Sequence, residues 1–542
     1  MRRGWKILIT VSVLWGIGMV ATFPRTIIDD SFITFRYAVN LAEHGQFVYN
    51  LNEEPVEGYT GVLYPVLLAG LVRAGIPIIL ASQLIGVASY FGTALVLLLL
   101  LRRVGVRFEV QAITIALYFF APFLYWHAYA GLETLLYTLL VTLTALTLYV
   151  ALTMPQRTTP QLAYLGSGLL VSLARPEGIL LAVLGVFANA VGQRRVGTRY
   201  AMRFAALAIL VFAAPFAAYF LWRWHYYGLF LPNTFYAKAS HWNNATALDV
   251  SFFVAHYLWM PVTAVALLRA LAGPDGAFIS LLRSPGRQWR RTPMASLGMV
   301  YALFTMVVLA QYSRSSLIQT YSYRFLVQFY PMALAFWATA VEFVWRRAPA
   351  WPGARRVAPE LVLVFALLAG QQIATDAEGL KSFRGEARAY GQLLRDEHMK
   401  AAAMVRAILP STEWLAVVVD AGAHAFYSRL KTVDFGGLAD KQVWHLSHRQ
   451  KVGYLFAHNP GAVIVSGREE LVQDPRLISP FGINFAQDRH FQDRYNLVRV
   501  FRTSAPNWQN YVTVCYIRKD LLTNGPGGEA AYSAKTSNSH RE

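Results

Sequence analysis

The sequence predicts an α-helical multi-pass membrane protein with a small α/β domain at its C-terminus, and three observations lead to the helical membrane class. Hydrophobic residues make up 56% of the 542 positions and charged residues only 15%, against roughly one-quarter charged in soluble globular domains. Mean hydropathy is +0.37. Apolar runs of about 20 residues, the length a helix needs to cross a bilayer, recur along the first 376 residues. Beyond them the composition is mixed, and short strand-like runs take over.

The chain opens with "MRRGWK" and an uncharged run from Ile7 to Phe23. A convincing small-x-small cleavage site is missing, so the run is read as a retained helix rather than a signal peptide. Further spans are expected near residues 78–101, 111–126, 134–153, 203–222, 250–270, 294–311, 325–344 and 358–375. The stretch from Leu162 to Val191 fits two short helices, because Pro176 and Gly178 in "LARPEG" allow a sharp turn between them. The expected number of transmembrane helices is about eleven.

The segment "GYTGVLYPVLLAGLVRAGIP" is short and interrupted by Gly, Pro and Arg73. If it lies in the interface, "MRRGWK", "LRRVGVR", "QRRVGTR", "SPGRQWRR" and "WRRAPAWPGARR" all face one side, as the positive-inside bias requires. If it spans, the first two face opposite sides. The interfacial reading places the N-terminus in the cytoplasm, residues 25–77 in a first outer loop with interfacial helices, and the C-terminal region outside. These basic loops also account for most of the +19 formal charge, so nucleic acid is not an expected partner. The single cysteine, Cys515, excludes an intramolecular disulfide and a thiolate metal cluster.

The expected domains are therefore a membrane domain over 1–376, a soluble α/β domain over 377–522 and a disordered tail over 523–542. The soluble domain rests on the runs "WLAVVVD", "GAVIVSG", "LVRVF" and "YVTVCYI" between turn signals, and the tail on its polar, Gly-rich, nonperiodic composition.

With this topology, Asp29, Asp30, Glu57, His127, Glu133, Arg175, Glu177, Lys238, Arg314 and Arg324 collect at one membrane face. Such a gathering suits a reaction in which an anionic lipid leaves and a hydroxyl attacks. A partly buried carboxylate can accept the hydroxyl proton, and Arg and Lys can hold phosphate oxygens as charge develops on the leaving group. Each residue also has an ordinary reading. The Asp pair could cap a helix, Glu133 could flank one, Arg175 and Glu177 could form a local ion pair, and Lys238 and Arg324 could snorkel to lipid headgroups.

Taken together, "DDSFITFRYAVNLAEHGQFVYN", "VEGYTGVLYPVLLA", "AGLET", "LARPEG", "LPNTFYAK" and "YRFLVQFYP" resemble the multi-pass glycosyltransferases of the GT-C class. Within it the pattern is most similar to the bacterial branch that includes the mycobacterial terminal arabinofuranosyltransferases. The resemblance implies an enzyme of a bacterial cytoplasmic membrane. It would move a sugar, arabinofuranose or another pentose, from a polyprenyl-phosphate donor to a cell-envelope glycan, lipid or protein acceptor, by inverting single displacement. It places the catalytic carboxylate on Asp29 or Asp30, with Asp29 the expected base, and phosphate contacts on Arg324, Lys238 and Arg175. Substrate contacts would fall to Glu57, Tyr59, His127, Glu133, Glu177 and Asn233, with Asp420 and His424 of "VVVDAGAHAFYSRL" on the acceptor side. No cofactor is required, since cationic side chains can steady a lipid phosphate, although the Asp pair leaves room for a divalent cation. A transporter or flippase of lipid-linked sugars is the rival, but it would favour internal repeats and polar residues near the midplane, and neither is evident.

Overall fold

The computed structural model describes residues 2–238, 244–257, 293–313, 321–347, 354–469 and 488–523. Arg314, most of the 250–270 run and residues 524–542 of the expected tail lie outside them.

Helix α1 spans Arg2–Thr22, and the chain then turns into α2, Asp29–His44. Both carboxylates sit in the first turn of α2, where the exposed N–H groups and helix dipole favour negative charge. Gly45, at φ +70°, closes the helix in the left-handed region that glycine enters without penalty. Helix α3, Leu63–Arg73, has 11 residues, about 16 Å of rise, too short to cross a hydrocarbon core of about 30 Å.

The bundle continues through α4 (Ile78–Val104), α5 (Phe108–Phe120), α6 (Pro122–Tyr129), α7 (Thr134–Thr153), α8 (Thr158–Ala174) and α9 (Gly178–Val196). Among the described residues six helices are long and apolar enough to cross a membrane, and α5 with α6, bent by 56° at Pro122, make a seventh if taken as one broken span. This is an integral membrane protein. The number differs from eleven for identifiable reasons. Helix α8 has 17 residues, and Tyr330–Arg347 carries Glu342, Arg346 and Arg347 within 18 positions. The runs 250–270 and 358–375 fall partly outside the described side chains.

The C-terminal region forms a five-stranded sheet of β1 (Trp414–Val418), β2 (Lys431–Asp434), β3 (Ala462–Arg468), β4 (Tyr495–Arg502) and β5 (Tyr511–Arg518), in the order β2-β1-β3-β5-β4. β1 pairs in parallel with β2 and β3, whereas β5 runs antiparallel to β3 and β4. Period-2 alternation puts Leu415 and Val417 in one core with Ala401 and Val405, and Ala416 and Val418 in another with Leu455 and Phe491. Both faces are covered. Strand β2 was not expected: "KTVD" is four residues with a charged start, and it gains its place only by pairing with β1.

Helix α2 lies between the bundle and this domain. Phe32 and Phe35 meet Phe426 at ring distances of 5.4 and 6.4 Å, burial worth about 1.5–3 kcal/mol for each side chain. On the bundle side, the Ile28 N–H and Ser31 hydroxyl donate to the Ala130 carbonyl at 3.0 and 2.7 Å. The start of α2 is thereby fixed from two directions.

Candidate active site

The residues singled out in the sequence fall into three sets. The first surrounds Arg324. Its Nη1 donates to Asp30 Oδ2 at 2.7 Å, with side-chain exposures of 8% and 14%, so the pair is nearly buried yet retains an accessible edge. The Arg324 guanidinium lies 4.6 Å from the Phe325 ring centroid, and that of Arg175 lies 5.2 Å from the same ring, so two cations flank one aromatic side chain. Arg175 is placed by "LARPEG". Residue 175 is extended, as the residue before a proline prefers, and α9 begins at Gly178. Its Nε is 3.4 Å from Glu133 Oε1 and 3.9 Å from Glu177 Oε2, and the Tyr312 hydroxyl donates to Glu177 at 2.6 Å. Arg175 Nε and Nη1 are buried without a hydrogen-bond partner among the described residues.

The backbone leading into Arg324 is strained. Ser322 has φ +48° and Tyr323 φ +60°, costing about 1–3 kcal/mol each for residues with a β-carbon. His127, 1% exposed on α6, places Nε2 2.9 Å from the Ser322 carbonyl. A carbonyl can only accept, so Nε2 carries the proton.

The second set joins α2 to the C-terminal domain. The Asp29 carboxylate is 1% exposed and accepts the Gly422 N–H at 3.0 Å and the Ala423 N–H at 2.8 Å. Its Oδ1 is also 3.4 Å from His398 Nδ1. His398 Nε2 in turn lies 3.4 Å from Asp420 Oδ2, which accepts the Tyr511 hydroxyl. His424 packs 4.5 Å from the His398 ring and bonds Ser466 Oγ through Nε2 at 3.2 Å. The approach at Gly422 is so close that a Cβ there would fall 1.9 Å from the Asp29 carbonyl oxygen. Asp29 is therefore a clasp between two parts of the protein. Asp420 and His424 are buried inside that clasp rather than presented to an acceptor.

The third set holds loops. Glu57 accepts from Arg223 Nε at 2.7 Å, the Tyr59 and Tyr227 hydroxyls meet at 3.1 Å, and Asn233 Nδ2 donates to the Gly437 and Leu438 carbonyls at 2.7 and 2.8 Å. These groups pin the first loop and the 233–238 helix in place. Lys238 closes that helix, and its side chain lies outside the described residues.

Two residues that sequence reasoning passed over matter here. His398, in "RDEHMK", looks like any polar helical position, and its partners are Asp29, 369 residues away, and Asp420, in the loop after β1. Arg36 is buried and, among the described residues, donates only to neutral oxygen atoms of Tyr49, Asn50, Ala425 and Leu430.

The clasp has a pH signature. Burial pulls the His398 pKa down, but the Asp29 and Asp420 carboxylates outweigh it and leave the value raised. Burial pushes Asp420 up to about 6 and Glu397 up to about 7, and takes His424 down to about 3. The raised groups stabilise the fold at low pH. Taking ordinary values as the unfolded reference, Asp420 loses its contribution between about pH 4 and 6, Glu397 between about 4 and 7, and His398 from about 6.5 upward. His424 works oppositely, contributing above about 6.5 and losing that contribution as pH falls. Above about pH 6.5 the contribution of His398 is lost, so the melting temperature of the purified protein should decline as pH rises through that window, and His398→Gln should flatten the decline. A wild-type melting temperature that stays constant over that window would contradict the assignment.

Each Asp29 oxygen accepts one backbone N–H, and Asp30 is paired with Arg324. Among the described residues no group of three or more His, Cys, Asp or Glu side chains is arranged to hold a metal ion.

The architecture is shared with solved membrane enzymes. ArnT from Cupriavidus metallidurans bound to undecaprenyl phosphate aligns over 95% of this chain and 98% of its own, at TM-score 0.50 and 15% identity. Its apo state aligns over the same shares at 0.51 and 14%. The oligosaccharyltransferase AglB from Archaeoglobus fulgidus, in complex with an inhibitory peptide and a dolichol-phosphate, aligns over 96% of this chain and 77% of its own, at 0.50 and 11%. The chain has the GT-C fold. Residues 385–516 match a domain of unknown function, DUF8728. Among curated proteins none matches the chain.

Proposed function

We propose that this protein is a glycosyltransferase that moves a sugar from a polyprenyl-phosphate donor to an acceptor hydroxyl at the outer face of a bacterial cytoplasmic membrane. The observation that carries the reading is the Arg324–Asp30 pair at 2.7 Å, a cation and a carboxylate at the start of α2 within a GT-C fold. The solved relatives bind undecaprenyl phosphate and a dolichol-phosphate, which supports a lipid phosphate as the donor's carrier.

In the resting protein Asp30 occupies the guanidinium that a phosphate would take. Donor phosphate competes for Arg324, so Asp30 gains basicity when the donor is in place. The acceptor oxygen then attacks the anomeric carbon while the bond from that carbon to the phosphate oxygen breaks. The hydroxyl proton passes to Asp30, and the phosphate leaves with the bonding electrons, its charge steadied by Arg324 and, across Phe325, by Arg175. Lys238 is a further candidate for the phosphate. The domain division at about residue 376, the cytoplasmic N-terminus and the outer position of the sheet domain belong to the same proposal.

The direct experiment is transfer by purified protein from a panel of radiolabelled polyprenyl-phosphate sugars, beginning with the arabinofuranosyl donor. Arg324→Ala should raise the donor KM and lower kcat, because the same contact serves bound donor and departing phosphate. Unchanged kinetics would make Arg324 a structural partner of Asp30 and nothing more.

A further inference from the structure

We infer that His127 is a positioning residue: it clamps the left-handed turn Ser322–Tyr323 and so aims Arg324 at the phosphate site, and it does not itself hold substrate. The inference rests on the reading of Arg324 given above. Two successive residues with β-carbons occupy the left-handed region, φ +48° and +60°, directly before Arg324, and such a conformation persists only where neighbours enforce it. Two enforcers are visible. His127 Nε2 donates to the Ser322 carbonyl at 2.9 Å, and the Tyr323 ring is packed against Phe253 and Tyr257 at 5.4 and 5.8 Å.

The histidine is rigidly placed. It lies on α6, beyond the 56° bend at Pro122, with its ring 1% exposed. Nε2 is committed to the carbonyl, and Nδ1, the remaining acceptor, has no hydrogen-bond partner among the described residues. A buried ring with its only proton directed at a backbone oxygen is suited to holding a turn. Without that bond the turn can relax toward ordinary backbone angles, and the Arg324 Cα, one residue on, moves with it.

Glycine separates this role from substrate contact, because it adopts positive φ without steric cost. The assay is binding of undecaprenyl phosphate to purified protein, with melting temperature read on the same variants. His127→Leu should weaken binding about tenfold, and His127→Gln, which keeps a donor near the Nε2 position, should weaken it less than about threefold. Adding Ser322→Gly to His127→Leu should recover most of the loss and raise the melting temperature more than Ser322→Gly does alone. If glycine rescues neither binding nor stability and Gln is as poor as Leu, the ring meets the ligand itself and the clamp is overturned. Arg324→Ala is the control. If it binds undecaprenyl phosphate like the wild type, the phosphate reading fails, while the stability coupling between positions 127 and 322 still decides the clamp, additive effects refuting it.

Discussion

Asp30→Asn should reduce transfer by on the order of 100-fold or more while leaving the affinity for undecaprenyl phosphate unchanged or increased. Asparagine keeps the size of the side chain but cannot take a proton from the acceptor. It also removes the charge that competes with phosphate for Arg324, whose Nη1 lies 2.7 Å from Asp30 in the resting protein. That combination, lost turnover with retained or tighter carrier binding, separates a base from a binding residue. Asp29→Asn should behave differently. Its carboxylate accepts two backbone N–H groups, and an amide can present only one acceptor oxygen, so one buried donor is left unpaired at a cost of about 1–3 kcal/mol. The expected phenotype is a lower melting temperature and a looser C-terminal domain, with activity following stability. The opposite pattern, full transfer by Asp30→Asn and inactive but stable Asp29→Asn, would return the base to Asp29.

The two carboxylates illustrate what sequence can and cannot reveal. "DDSFITFRY" marked both as unusual at the end of an apolar run, but adjacency does not say which one faces a cavity. The fold separates them through Gly422 and Ala423, about 390 positions away, whose amides bind Asp29, while Asp30 pairs with Arg324. The helical class and the C-terminal sheet were legible because apolar runs and alternation are local signals. The convergence of Arg324, Arg175, Glu133 and Glu177 was legible as residue types, and only the fold brings both arginines against the ring of Phe325. Glu57, Tyr59 and Asn233 carry the same polar signal as site residues, yet they spend their groups on loop contacts. Polarity near a membrane surface marks both chemistry and anchoring, and nothing in local spacing separates them. His398 left no local trace, because its significance comes from lying between two carboxylates distant in sequence.

Arg36→Leu should be the most destabilising single change at the junction of bundle and domain, by about 3–5 kcal/mol. The guanidinium donates to the carbonyls of Tyr49 at 2.6 Å, Ala425 at 2.6 Å and Leu430 at 2.7 Å, and to Asn50 Oδ1 at 2.9 Å, and it stacks 4.6 Å from the Tyr49 ring. One planar fork therefore ties α2, the loop after it and the helix Ala423–Ser428 that holds Asp29. Leucine matches much of the aliphatic stem but takes the charged donor from four oxygens at once, leaving each with a single neutral donor from Asn40, Ser428 or Thr432. Lysine keeps a charge, yet a single ammonium cannot span directions set by a planar group, so Arg36→Lys should fall between wild type and Leu. Melting temperature and limited proteolysis at the start of the sheet domain measure the effect. Cleavage should appear in Arg36→Leu under conditions where the wild type resists, and transfer should fall with it because the Asp29 clasp is carried by the same helix. An Arg36→Leu protein with wild-type melting and protease resistance would mean that the Asp29 clasp and the aromatic contacts of Phe32 and Phe35 with Phe426 hold α2 without it.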